Sequence, residues 1–225
     1  MNYPKKPPAE YKYAPPDDPL DVFYIDQDIL ILNKPSGLLC VPGRKAEHKD
    51  SLESRVRAEY PNALIVHRLD MDTSGIVIMA MNTEAHKNLG LQFEKRKTDK
   101  EYIARIWGHV EEDSGHIDLP LICDWPNRPL QKIDLTRGKD ARTDWEVIDR
   151  EVDNVTRVRL HPITGRTHQL RVHMAEIGHP ILGDDFYAHE EGLKAADRLQ
   201  LHAYKLMVTH PSEGKEIWFK APCPF

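Results

Sequence analysis

The chain has 225 residues, 40% hydrophobic and 30% charged, with 31 basic against 36 acidic side chains for a net charge of −5. That profile excludes a disordered tail, and no apolar run approaches the roughly 18 residues of a membrane-spanning helix. The three cysteines, Cys40, Cys123 and Cys223, are too few and too scattered for a disulfide framework or a cysteine-rich zinc site.

The first twenty residues hold prolines at positions 4, 7, 8, 15, 16 and 19 and no apolar stretch of the kind a secretory signal needs. They predict an extended arm that is neither helix nor ladder strand, on a chain with a cytoplasmic address. Short apolar runs follow. Val22 to Ile25 and Ile29 to Leu32 read as strands, closed by Asp26 and by Lys34-Pro35-Ser36-Gly37. Asp50 before Leu52, Val56 and Tyr60, with Glu53 in the capping-box place, predicts a helix from about Ser51 to Pro61.

Ile76 to Ala80 is short, apolar and rich in β-branched residues, hence a buried strand, and Thr83 is expected to cap a helix through Phe93. Tyr102 to Trp107 alternates as a strand. Further strands are expected at Thr143 to Ile148, Val155 to Leu160, Lys205 to Thr209 and Ile217 to Lys220. Thr167 is expected to cap a helix carrying Leu170, Met174 and Ile177 on one face, stopped by Gly178 and Pro180. Strands joined by short turns, with a few flanking helices and no regular βαβ alternation, predict an α+β fold on a mixed, largely antiparallel sheet. With no repeat and no Gly/Ser linker, residues 21–225 are expected to form one domain beyond the 1–20 arm.

Charge is segregated along the chain. Val155 to Met174 contains Arg157, Arg159, Arg166, Arg171 and three histidines without one Asp or Glu, whereas Met1 to Leu30 holds six acids against three lysines. A basic face on an acidic body can still attract phosphates, because local potential outweighs the sum. His67-Arg68-Leu69-Asp70-Met71-Asp72-Thr73-Ser74-Gly75 is a polar loop leading into a buried strand. Read as a calcium loop, it lacks the bidentate glutamate, Met81 standing there, and the exiting helix. Read blandly, it is a strand-entry turn with satisfied backbone groups. Thr164 to Met174 combines a glycine turn, a helix start and two arginines, suited to an anion. Its His168 and His173 lie five residues apart, about 140° around a helix, which excludes them as a ligand pair. Lys100-Glu101-Tyr102 is, taken alone, a strand with a packing tyrosine.

Together and in this order, the HRLD-x-D-T-S-G, K-E-Y and T-G-R-T-H-Q-L-R-V-H segments resemble the signature segments of the RluA-type pseudouridine synthases. The resemblance extends to Asn33-Lys34-Pro35-Ser36-Gly37-Leu38 and to His179-Pro180-Ile181-Leu182-Gly183-Asp184, nearly the whole chain after the arm. Val41-Pro42-Gly43-Arg44 and the stretch from Asp118 to Pro129 are similar to the short member of that family acting on both a tRNA and 23S ribosomal RNA. The arm is too short to supply the S4 domain that many relatives carry.

What the resemblance implies is a uridine-to-pseudouridine isomerase with Asp70 as catalytic aspartate, Tyr102 as active-site tyrosine and Arg171 as the aspartate's basic partner. It places His67, Arg68, Arg166, His168, Gln169 and Leu170 at RNA contacts, with Arg68 filling the space left by a flipped base. No metal and no cofactor are implied. The expected partners are a tRNA anticodon stem-loop and a 23S rRNA hairpin, no membrane, and no second copy of the chain. A carboxylate beside a glycosidic bond can act as nucleophile or electrostatic partner, and a uridine inside a stem has to be flipped out to reach it. Two other readings fit the motifs taken singly: a nucleosidase that stops at hydrolysis with Asp70 and Asp72 as its pair, and a non-catalytic RNA-binding module.

Overall fold

The computed structural model describes residues 13–225, and the earlier part of the expected arm lies outside them. Backbone contacts divide the described chain into two compact units, one of residues 13–100 and 202–224, the other of residues 101–201 with Phe225.

In the first unit, residues 13–20 form neither helix nor strand, as their prolines dictate. Tyr13 is buried, its hydroxyl donating to the Asp50 carbonyl (2.9 Å) and accepting from Leu39 N–H (3.0 Å). Strands β1 (Val22–Ile25) and β2 (Ile29–Lys34) make an antiparallel pair. Helix α1 (Leu52–Glu59) starts one residue later than its expected cap: Ser51 is the N-cap and shares a capping box with Ser54. Asp50 instead binds Arg55 through two hydrogen bonds of 2.7 Å. The short β3 (Leu64–Ile65), which has too little sequence to announce itself, pairs with β4 (Ser74–Ala80).

All seven residues of β4 are buried, as a strand flanked on both edges requires. It pairs antiparallel with β2 and, after the chain returns, parallel with β11 (Leu201–Thr209), which pairs with β12 (Glu216–Lys220). Helix α2 (Thr83–Glu94) is capped by Asn82 and not Thr83, the Asn82 carboxamide oxygen accepting from Ala85 N–H at 2.8 Å. Its Ala85 and Leu89 pack on Ile29, Ile31, Ile76 and Ile78.

The second unit takes the rest of the chain in order: β5 (Asp99–Trp107, shared with the first unit), β6 (Ser114–Asp118), the hairpin β7 (Leu121–Cys123) and β8 (Gln131–Ile133), β9 (Arg142–Glu151), β10 (Val155–Pro162), α3 (Gln169–Glu176) and α4 (Glu190–Lys194). Strands β5, β10, β9 and β6 run antiparallel in that spatial order. Strand and helix content thus matches the expected α+β class on a mixed sheet. Three of these strands, β6, β7 and β8, were not legible in the sequence, being short and poor in apolar alternation. No helix among the described residues is long and apolar enough to cross a membrane.

Helix α3 departs from expectation in two ways. Its N-cap is His168, in left-handed conformation (φ 53°), and not Thr167; and seven of its eight residues are buried, so it has no solvated basic face. The glycine at 75 has a stricter reason than turn formation. With φ at +113°, it lies so close to β11 that a Cβ would stand 2.3 Å from the Ala203 carbonyl oxygen, a distance no side-chain motion relieves. Gly75→Ala is expected to destabilise the protein by about 2–4 kcal/mol through strain and backbone clash. Urea unfolding of the variant beside wild type measures it, and a change below 1 kcal/mol would contradict the parallel β4–β11 contact.

Candidate active site

Asp70 sits in the first unit, in the loop between β3 and β4, and that loop is held from below by groups the sequence reading missed. The ammonium of Lys34, at the end of β2, is completely buried. It donates to three carbonyls: Pro35 (2.7 Å), Leu38 (2.8 Å) and Met71 (2.7 Å). An ammonium stripped of water is tolerated only with such donors satisfied, so Lys34 ties the Lys34–Leu38 turn to the residue after Asp70. Gly37 N–H donates to the same Met71 carbonyl (3.0 Å), and the Ser36 hydroxyl donates to the Asp72 carbonyl (2.7 Å). On the other side Leu69 N–H points at the Cys40 sulfur (3.2 Å), and Thr73 N–H closes a turn onto the Asp70 carbonyl (3.2 Å). The Ser74 hydroxyl shares a 2.9 Å hydrogen bond with His202 on β11. Burial pushes the Cys40 thiol up, so it is a neutral wall of the loop.

Arg68 is exposed. His67 is turned the other way: its ring stacks on Phe93 (4.7 Å, 16° between planes), and Nε2 accepts from Ile78 N–H at 3.1 Å. Burial first, and the nearby Lys100 ammonium second, push its pKa down to about 3. The ring is therefore neutral at pH 7, and its edge is spent on β4.

Tyr102 and Arg171 sit in the second unit. Tyr102, on β5, packs against the core that contains Ile106, Leu160 and Leu170. Arg171, on α3, is 2% exposed, and its guanidinium makes a two-pronged contact with the fully buried Asp184 (Nε to Oδ2 2.8 Å, Nη2 to Oδ1 2.6 Å), with Asp185 at 3.1 Å. It lies over the rings of Phe186 (4.9 Å) and Tyr187 (5.4 Å). Asp184 also accepts from the N–H groups of Phe186 and Tyr187. Such a bidentate, stacked guanidinium has one orientation. Burial raises the Asp185 carboxyl above the usual range, against the opposing pull of Arg171.

The neighbours of Arg171 are buried supports. His168 shares a 2.8 Å hydrogen bond with the Tyr187 hydroxyl and stacks on Phe186. Gln169 accepts from Thr164 and from Arg166 N–H and donates to the Arg142 carbonyl and Thr143. Leu170 belongs to the core. Arg166 is half-buried, with Nε donating to the Asp140 carbonyl (2.9 Å). The expected acid-free arginine face does not exist as such, because acids from elsewhere in the chain pair with it. Arg157 pairs with Glu151, Arg159 with Glu146 and Glu101, and Arg171 with Asp184.

A family model for RNA pseudouridylate synthases matches residues 28–176. The chain belongs to that family. The dual-specificity RNA pseudouridine synthase RluA of Escherichia coli K12 is 54% identical over 214 residues, covering 95% of this chain and 98% of that one. The protein of the same name from Yersinia pestis is 56% identical over 204 residues, 91% of this chain and 99% of the other. The solved structure of human RNA pseudouridylate synthase domain containing 1 superposes with a TM-score of 0.76 at 30% identity, covering 92% of this chain and 84% of that chain. The enzyme is thus an RNA pseudouridine synthase, an isomerase.

Two expectations follow from the synthase's geometry. Removing one partner of a buried pair strands the other charge, at about 3–5 kcal/mol. Asp184→Asn should therefore cost several kcal/mol and most of the activity, whereas Asp185→Asn, at the half-exposed third contact, should cost about 1 kcal/mol or less. Equal losses from both variants in thermal unfolding would refute the assignment of Asp184 as the anchor. His67 sets an acid limit. Its folded pKa, near 3, lies below the unfolded value of about 6.5, so the unfolded chain binds the extra proton; stability is complete above pH 6.5 and falls toward pH 3 by about 1.4 kcal/mol per pH unit. His67→Gln, which keeps an acceptor for Ile78 N–H, should flatten that slope between pH 6.5 and 4.5; an unchanged slope would show that His67 is not its source.

Proposed function

We propose that this synthase isomerises a uridine in the anticodon stem-loop of some tRNAs and a uridine in a 23S rRNA hairpin. The observation that carries the reading is near end-to-end similarity to relatives named for dual specificity toward RNA. We assign the reaction to one catalytic domain over residues 21–225, acting as a cytoplasmic monomer without metal or cofactor, since the substrate is RNA and isomerisation consumes no other reactant. Asp70 is the catalytic carboxylate, and Tyr102 and Arg171 serve the same reaction, on the resemblance of their segments. The N1–C1′ bond of the uridine breaks, the uracil turns, C5 bonds to C1′, and the proton lost from C5 is balanced by one gained at N1. A carboxylate suits either covalent capture or charge stabilisation during this sequence. Tyr102 offers a ring to stack on the base and a hydroxyl near the moving proton.

Among the expected RNA contacts, exposure favours Arg68 for the place vacated by the flipped base, and the half-buried Arg166, the least buried of the Arg166–Leu170 set apart from Thr167, is assigned to backbone phosphate. The burial of His168, Gln169 and Leu170, and the contacts of His67 with Phe93 and Ile78, favour supporting roles in shaping the two loops. A loop rigidly tied through Lys34 fits a carboxylate that has to meet a flipped nucleotide without reorganising.

Isolated stem-loops from the tRNA and from the ribosomal RNA are expected to be modified by wild type, with RNA mass unchanged and no free uracil. Asp70→Asn should bind both as tightly while turnover falls to background, and Arg68→Ala should slow both together. Release of uracil would establish a nucleosidase instead. Substantial turnover by purified Asp70→Asn would remove Asp70 from the chemistry, and modification of one stem-loop alone would reject dual specificity.

A further inference from the structure

The β7–β8 hairpin of the second unit presents an aromatic side chain that no folding argument accounts for. Trp125 is 66% exposed, although an indole is among the costliest groups to leave in water. It lies in a rigid seat. Asp124 N–H donates to the Leu130 carbonyl, Leu130 N–H to that of Asn127 and Asn127 N–H to that of Asp124, at 2.8–3.0 Å. The Asp124 carboxylate takes the Asn127 amide (2.7 Å) and the Lys132 ammonium (3.1 Å), and these contacts hold its pKa below the usual range. Pro126 and Pro129 further restrict the loop. The guanidinium of Arg128 covers one face of the Trp125 ring, 4.3 Å from its centre; the large remaining exposure leaves the opposite face to solvent.

The seat is joined to the Arg171 cluster. Leu130 is buried with Val172, Ala175 and Tyr187. The Tyr187 hydroxyl accepts from Gln131 N–H (2.8 Å) as well as bonding His168, and the Tyr187 ring lies under Arg171. The local charge favours a polyanion: residues 124–142 hold five basic and three acidic side chains, +2 on a chain of −5.

We propose that Trp125 is a stacking platform for an unpaired base of the RNA substrate, backed by Arg128, which also meets the adjacent phosphate. The inference rests on the reading that the enzyme acts on RNA and adds to it a site outside the signature segments. A base has a π-face whatever its identity, so an indole already braced by a guanidinium gains a second stacking partner at little entropic cost. A platform of that kind tolerates different sequences, as an enzyme gripping two unlike RNAs requires. An exposed tryptophan can also mark a protein-binding surface, and the experiment separates the two.

The probe is a stem-loop RNA with 2-aminopurine substituted at successive loop positions, bound to an Asp70→Asn enzyme so that binding is read without turnover. In that background Trp125 should quench the fluorescence at one position. Trp125→Ala should remove the quenching and weaken binding about tenfold, within the range for loss of a stacked base, and Trp125→Phe should restore most of both. Arg128→Ala should lower the slope of log affinity against log salt by about one phosphate. In the turnover-competent enzyme, Trp125→Ala should lose kcat/KM chiefly through KM. Unchanged RNA affinity and quenching in Trp125→Ala would overturn the platform, and so would a loss confined to kcat. Failure of wild type to form pseudouridine in either stem-loop strikes the substrate assignment only, because binding and quenching in the Asp70→Asn background are measured independently of it.

Discussion

A buried ammonium governs the geometry of the first unit. Lys34 is fully out of water, and the three carbonyls it binds come from its own turn and from the loop of Asp70. Leaving such a charge without donors satisfied would cost several kcal/mol, so the turn and the loop cannot move apart singly. The other contacts on the loop, from Ser36, Gly37, Cys40 and His202, are hydrogen bonds of about 1 kcal/mol each. They refine a position that the charge imposes. Gly75 then sets the depth at which the loop enters β4, since any side chain there would meet the β11 backbone.

The second unit repeats the device with opposite chemistry. Arg171 is immobilised by a carboxylate and by two aromatic rings, and the carboxylate is itself oriented by two backbone N–H groups. The same economy runs through the sheet. Arg105 on β5 and Arg157 on β10 stand directly opposite in register, a repulsive arrangement by itself. Glu151 on β9 resolves it by taking both. The arginines that make Val155 to Met174 look like a polyanion surface are thereby largely accounted for inside the protein.

This explains what the sequence could and could not disclose. Apolar runs located β1, β2, β4, β5, β9, β10, β11 and β12, because period and length survive in one dimension. The caps were each misplaced by one residue, Ser51 for Asp50, Asn82 for Thr83 and His168 for Thr167: several adjacent polar residues can cap, and only the backbone direction selects one. Asp70, Tyr102 and Arg171 stand out as candidates only through the resemblance of their segments. Lys34 was visible as part of a turn but not as a buried charge, since nothing local distinguishes a buried lysine from a solvated one. The acids that neutralise the arginines were invisible for a related reason. Glu101, Glu146 and Glu151 are up to 58 residues away in sequence from their partners, and only strand register brings them near.

With those arginines engaged, the attraction of RNA falls to cations at the surface. Net charge is −5, so long-range potential does not favour a polyanion, and screening confines any favourable field to about 8–10 Å at physiological salt. The contacts proposed above, Arg68 in the Asp70 loop and Arg128 on its hairpin, are projecting groups of the kind that can meet RNA without requiring the whole protein to be basic. Few ionic contacts give a shallow dependence on salt. On the proposed reading, the remaining affinity comes from stacking and from the fit of a flipped nucleotide. Both depend on loop structure more than on base pairs. A surface with few ionic contacts thus favours RNAs that already present unpaired bases, and it penalises long duplexes that could offer only their backbone.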